Sequence, residues 1–191
     1  MIDNFSDPER LEFIRKIRAE KGIEEIFTIR EAKERGIVVL GKNVKIKDGT
    51  IIGTDGWGYA RNEKKELEKF PHYGKVIIGD NVDISSNCNI DRGNMHDTVI
   101  GEGTKIDSGV HISHNVKIGK HTRIGAHSVL LGHCEVGDYT DIWTNVVIKE
   151  GVKVGNHTVI GGCSYVDKDV PSYSHYVSEN RKILRSFDPV S

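Results

Sequence analysis

Aromatic residues make up only 7% of this 191-residue chain, and proline occurs 4 times. So few rings argue against a large, bulky core. Charge has no dominant sign: 27 Lys+Arg against 28 Asp+Glu leave a net −1. No global field therefore draws the chain to nucleic acid or to a membrane surface. No apolar run approaches the roughly 18 residues that a membrane span needs, and the first residues lack a signal-peptide pattern. No membrane span and a cytoplasmic location are the expectations. Cys88, Cys134 and Cys163 are odd in number and form no C-x-x-C pair, so they are read as free thiols in a reducing compartment, with no metal site.

What the chain does have is glycine, 21 residues of it, and a strict repeat. From Ile100, steps of six land on Ile106, Ile112, Ile118, Ile124, Leu130, Val136, Ile142, Ile148, Val154, Ile160 and Val166. Backward, past a short interruption, the same stride meets Ile90, Ile84 and Ile78. Beyond a longer interruption it meets Ile52, Ile46 and Leu40. Every stride position is a branched aliphatic. Three residues further on stand Asn, Gly or His in nearly every repeat, including Gly93, Asn115, His121, His127, His133 and His157, with Asp169 at the end. These types tolerate a left-handed backbone. Each hexapeptide is thus a short strand and a tight turn, and three of them make one coil with three faces. The predicted fold is all-β, a parallel β-helix of about six coils with the aliphatics stacked inward.

The expected organisation is a helical cap over 1–37, the β-helix over 38–171 with insertions at 57–74 and 94–97, and a C-terminal loop and short helix over 172–191. Ser6-Asp7-Pro8-Glu9 and Thr28-Ile29-Arg30-Glu31 are capping boxes, with stops at Gly22 and Gly36. Cys88 and Cys134 fall at an inward small-residue phase and are read as core filler. The basic residues Arg181, Lys182 and Arg185 read either as a solvated helix face or as a docking patch for an acidic carrier protein.

Counting in threes puts Ile52, Ile90, Ile112 and Leu130 on one face, so the turns after them stack at one corner. Both interruptions fall at that corner. His121, His127 and His157 are explained by their turn position. His133 shares that explanation but sits at the special corner, about one strand spacing from His114. His114 stands one residue before the turn slot, which Asn115 fills, so backbone geometry does not ask for histidine there. It is the candidate general base. Candidate substrate contacts are Asp55, Trp57 and Tyr59 in the long loop, Asp91 and Arg92, His96 in the short interruption, Asn115, Gly132 and His133. Asp91 and Arg92 also read as a local ion pair. Trp57, Tyr59, Phe70 and Tyr73 either pack the long loop or line a ligand cleft. No serine or cysteine is read as sitting beside His114 in this register, so no covalent enzyme intermediate is expected.

The runs Ile52–Ala60 (IGTDGWGYA), Phe70–Gly79, Ile90–Gly93 (IDRG), Asp97–Gly101 (DTVIG) and Ile112–Val116 (ISHNV) resemble the UDP-3-O-acylglucosamine N-acyltransferase family of lipid A assembly. That resemblance implies a left-handed coil, His114 at the catalytic histidine, and Gly132-His133 in the acyl-side histidine segment. It also implies a homotrimer with clefts between prisms, a sugar-nucleotide acceptor and an acyl carrier protein thioester as donor, with no bound cofactor. Residues 1–37 are too short for that family's uridine-holding domain, and the prism is about one coil shorter. A shorter enzyme acylating another amino sugar fits equally. An acetyl-CoA-dependent amino-sugar acetyltransferase of surface polysaccharide synthesis, a zinc carbonic anhydrase and a non-catalytic β-helix subunit are the other readings.

Overall fold

A computed structural model describes residues 29–69 and 71–178. The helix expected over 6–21, Phe70 and the basic residues Arg181, Lys182 and Arg185 lie outside the described residues.

The stride builds three parallel sheets. The first stacks Val38–Leu40, Val76–Ile78, Thr98–Ile100, Lys117–Ile118, Glu135–Val136 and Lys153–Val154. The second runs from Lys45–Ile46 through Lys105–Ile106 to His175–Tyr176, and the third from Ile51–Asp55 through His111–Ile112 to Tyr165–Val166. Aliphatic sits on aliphatic from coil to coil, as in Ile84↔Ile106↔Ile124 and Ile90↔Ile112↔Leu130. All the stride residues are buried except Leu40 and Ile46, which pack partly exposed against the first coils. Because the core is a narrow column of branched aliphatics, trimming one (Ile112→Val) would cost about 1 kcal/mol. The second sheet continues to Tyr176, past the end of the prism expected at 171.

A second inward position carries small side chains, Cys88 and Cys134 among them. Burial pushes the Cys134 thiol up to about 12, and the Cys88 thiol is raised for the same reason. At one corner this position is threonine in successive coils. Thr122 donates its hydroxyl to the Gly137 carbonyl at 2.8 Å and accepts the Thr140 N–H at 3.3 Å. Thr104, Thr140 and Thr158 repeat the pattern, so the buried hydroxyls are satisfied and tie coil to coil.

The left-handed turn slot is taken by Asn115 (φ 62°), His121 (51°), His127 (58°), His133 (61°) and His157 (52°), as expected. Gly93 and Asp169 are not left-handed. A Cβ on Gly93 would fall 1.5 Å from the His96 carbonyl oxygen, so close approach of the short insertion is what requires glycine there. Tyr139, Cys163 and Tyr173 occupy the slot although their types seldom do. The two tyrosines alternate with histidines in one stack, His121, Tyr139, His157, Tyr173, with ring centroids 5.3, 5.1 and 5.0 Å apart. This packing offsets the backbone preference.

The helix Ile29–Glu34 lies on the first coil through Ala32, which is fully buried. Gly36 (φ 68°) ends it: its N–H donates to the Lys33 carbonyl and the Ile37 N–H to that of Ala32, a Schellman closure.

The long insertion is not a plain loop. Tyr59–Arg61 and Leu67–Lys69 pair as an antiparallel hairpin. Asn62 closes its turn by accepting the N–H groups of Lys64 and Glu66 through Oδ1, each at 3.0 Å. The two insertions are laced together. The N–H groups of Tyr73 and Gly74 donate to the Asn94 and Gly93 carbonyls, and the Lys75 N–H donates to Asp97 Oδ1 at 2.8 Å.

Candidate active site

The third sheet and the corner beyond it bring the chemistry together. In the first coil a bulge at Gly53 shifts the register, so Thr54 and Asp55 pair with Asp91 and Arg92. Above them His111–Ile112 pairs with Asn89–Ile90, which sets Ser113 and His114 over Asp91 and Arg92 at the corner. A cleft of about 420 Å³ opens there. Of the expected residues it is lined by His114, Asp55, Trp57, Asp91 and Gly132, and it adds Thr54, Asn89, His111, Ser113, Leu131 and Glu150.

His114 is held on several sides. A Cβ on Gly132 would lie 2.7 Å from His114 Cε1, and one on Gly56 would lie 2.9 Å from His114 Cδ2. Both glycines are therefore the shape of the histidine's seat. The rings of His133 and His72 stand edge-on to it, with centroids 5.2 and 5.7 Å away. His72 is buried in the long insertion, and nothing in the repeat pointed to it.

Asn115 orients the imidazole. Its Nδ2 donates to the His96 carbonyl at 2.9 Å, and its Oδ1 accepts the Asn94 N–H at 3.2 Å. Backbone groups thus identify which amide atom is oxygen. That oxygen lies 3.0 Å from His114 Nδ1, so Nδ1 carries the proton and Nε2 keeps the lone pair. Asn115 itself is locked by its own N–H, which donates to Thr98 Oγ1 at 2.9 Å.

Asp91 is buried and accepts Thr54 Oγ1–H at 3.3 Å and Asn89 Nδ2–H at 3.2 Å. Burial raises its carboxyl above the ordinary value, against the pull of His111 first and of His114 further off. Asp91 does not pair with Arg92, since adjacent strand residues point opposite ways. Arg92 Nε instead donates to the Gly74 carbonyl at 2.7 Å and holds the long insertion.

Other expected residues fall around the cleft rather than in it. His96 contributes its carbonyl, with its side chain exposed. Tyr59 packs edge-on against Trp57 at 4.9 Å, and Trp57 is 85% exposed. Lys69 ties the hairpin to Asp55 at 3.5 Å. Ser113, contrary to expectation, does stand beside His114, but its hydroxyl is engaged by His111 Nε2 at 2.9 Å. His111 and Asn89 were readable as outward neighbours of stride positions, one coil apart. Their signal is polarity in a column that turns to Val129 and Val147 above.

A larger groove of about 540 Å³ runs along the second sheet. Two ion pairs span it, Lys105 with Asp83 at 2.9 Å and Arg123 with Asp141 at 2.6 Å. Those partners hold both carboxyls below the usual range. It contains no histidine, so the corner cleft is the better reaction site. His121, His127 and His133 turn at three different corners, which separates them as ligands for one ion.

The bacterial transferase hexapeptide (six repeats) family matches residues 97–132, a segment that holds both His114 and Gly132. The UDP-3-O-acylglucosamine N-acyltransferase of Rhizobium meliloti is 55% identical over 69 residues, which is 36% of this chain and 20% of that protein. Its counterpart in Coxiella burnetii is 52% identical over 68 residues, again 36% of this chain and 20% of that protein. The match therefore spans about a fifth of the length of these curated relatives. Among solved structures, the UDP-N-acetylglucosamine acyltransferase of Bacteroides fragilis superposes with a TM-score of 0.62 at 27% identity, over 72% of this chain and 52% of that one. The Francisella novicida enzyme of the same name gives 0.64 at 27% identity, over 75% and 57%. The chain thus carries the bacterial transferase hexapeptide repeat, and its described residues fold as the left-handed parallel β-helix of these acyltransferase structures.

Proposed function

We propose that this protein is an N-acyltransferase that moves an acyl group from a thioester to the amine of a sugar nucleotide, with His114 as general base. The observation that carries the reading is the imidazole itself: Nδ1 is tied to Asn115 Oδ1 at 3.0 Å, which leaves Nε2 unprotonated at the corner cleft. Similarity to UDP-3-O-acylglucosamine N-acyltransferases and to UDP-N-acetylglucosamine acyltransferase structures supports the reaction class.

In the proposed step the neutral amine attacks the thioester carbonyl carbon, and His114 Nε2 takes the proton that the new C–N bond releases. The carbonyl oxygen becomes an oxyanion. Among the described residues no acceptor takes the Gly132 N–H, so it is left to donate to that oxygen. Collapse breaks the C–S bond, and the imidazolium returns its proton to the departing thiolate. Ser113 is not the nucleophile in this scheme, because its partner His111 is itself a donor.

The donor is an acyl carrier protein or coenzyme A thioester, used as co-substrate. The working form is a cytoplasmic homotrimer, whose neighbouring prism would cover the exposed Trp57 and Tyr59. No described helix is long and apolar enough to cross a membrane. The test is thioester consumption across a panel of amino-sugar nucleotides, with acetyl-CoA and a 3-hydroxyacyl carrier protein as donors. Turnover with the long-chain donor supports the reading, and turnover with acetyl-CoA alone makes the protein an amino-sugar acetyltransferase. Binding of sugar nucleotide with no transfer from any donor points to a non-catalytic subunit.

A further inference from the structure

A second histidine in the cleft has hydrogen bonds that set a direction. Asn89 Nδ2 lies 3.2 Å from Asp91 Oδ1 and 3.3 Å from His111 Nδ1. The carboxylate orients this amide with its NH₂ inward, so the same nitrogen has its other proton for the imidazole. His111 Nδ1 is then an acceptor, and the ring proton sits on Nε2. Nε2–H donates to Ser113 Oγ at 2.9 Å. With its oxygen already accepting, Ser113 has its own O–H left to give.

That geometry rules out a nucleophilic relay, because a protonated Nε2 cannot take the serine proton. It makes Ser113 a hydrogen-bond donor instead. Ser113 stands one rung above Asp91, next to the paired residues Ile112 and Ile90, and both line the cleft with His114. Asp91 Oδ2 lies 3.8 Å from His111 Nε2, beyond hydrogen-bond reach, while Thr54 and Asn89 both donate to Oδ1, so Oδ2 is left to accept.

We infer that Ser113 and Asp91 form a donor–acceptor pair that recognises one free hydroxyl of the acceptor sugar, with Ser113 as the specificity-determining residue and His111 as its positioning residue. A hydroxyl is the group that satisfies both: it accepts from Ser113 and donates to Asp91. An acylated oxygen brings no proton to Asp91, and a deoxy carbon leaves both partners unpaired. The inference rests on the amino-sugar reading above, because it presupposes an acceptor that carries a hydroxyl near the reacting amine.

The test is steady-state kinetics of wild type, Ser113→Ala and Ser113→Thr on an amino-sugar nucleotide and its monodeoxy analogues, with thermal melting as the fold check. Ser113→Ala should raise KM for the hydroxyl-bearing acceptor about tenfold while kcat stays within about twofold. Ser113→Thr, which keeps the hydroxyl, should restore KM, and one deoxy analogue should not distinguish wild type from Ser113→Ala. An equal effect of Ser113→Ala on the parent and on every deoxy analogue overturns the inference, as does an unchanged KM. If no acceptor turns over, the transferase reading fails by itself. Calorimetric binding of the same nucleotides then decides: weaker binding to Ser113→Ala, confined to hydroxyl-bearing ligands, supports the pair. Equal or absent binding overturns it.

Discussion

The Asn115 side-chain oxygen lies 3.0 Å from His114 Nδ1, and the backbone of Asn94 and His96 fixes which way that amide faces. One residue therefore sets the tautomer of its neighbour. Asn115→Asp keeps the size and the acceptor but places a negative charge against Nδ1–H. An opposite charge at this range favours the imidazolium over the neutral ring. The base must be neutral to act, so the acid limb of the pH profile of kcat/KM should move to higher pH. An unmoved limb would mean that His114 does not titrate in the rate.

Gly132→Ala should separate activity from stability. Its Cβ would lie 2.7 Å from His114 Cε1, so the imidazole must move. A displacement near 1 Å at a reacting group costs about a hundredfold in rate. The same Cβ borders the cleft rather than the aliphatic column, so the melting temperature should change little. Retained activity would show that His114 has slack at this side.

Asp91 makes stability depend on pH in a stated direction. Burial raises its folded carboxyl above the ordinary 3.8, so the folded chain holds that proton more tightly than the unfolded one. Its contribution is fully present below the unfolded pKa and is lost as pH rises through the raised folded value. Asp91→Asn removes the titration and can still accept from Thr54 and Asn89. Urea denaturation should show the variant gaining on wild type as pH climbs from about 3.5 toward neutrality, where the charge of Asp91 is fully buried. A difference that instead grows as pH falls would contradict the burial argument.

The thiols should divide sharply. Cys88 and Cys134 are buried with raised pKa values, that of Cys134 about 12, whereas Cys163 is exposed in its turn. A thiol reagent at pH 7.5 should modify one group quickly in the native protein, and Cys163→Ser should abolish that phase.

Much of the fold was readable because one position in six meets one environment. The stride from Leu40 to Val166 named the inward column, and its phase located the corner, His114 and Asn115. The hairpin was hidden because Tyr59–Arg61 and Leu67–Lys69 are three residues each and exposed throughout, so neither shows an apolar alternation. Tyr139 and Tyr173 in left-handed turns were unreadable for another reason: ring stacking between coils overrides the residue's own preference. The cleft was half legible. Asp91, His114 and Gly132 follow from the register, but His72 arrives through the irregular insertion. The ion-pair reading of Arg92 failed because strand alternation turns it away from Asp91 to Gly74.

The central claim is that His114 is the base of an acyl transfer. The most direct measurement is thioester consumption by wild type and His114→Ala, with the best donor and amino-sugar nucleotide and with melting curves to confirm that both are folded. The account predicts a loss of about a hundredfold or more in kcat for the variant. Equal activity of two folded proteins would contradict it.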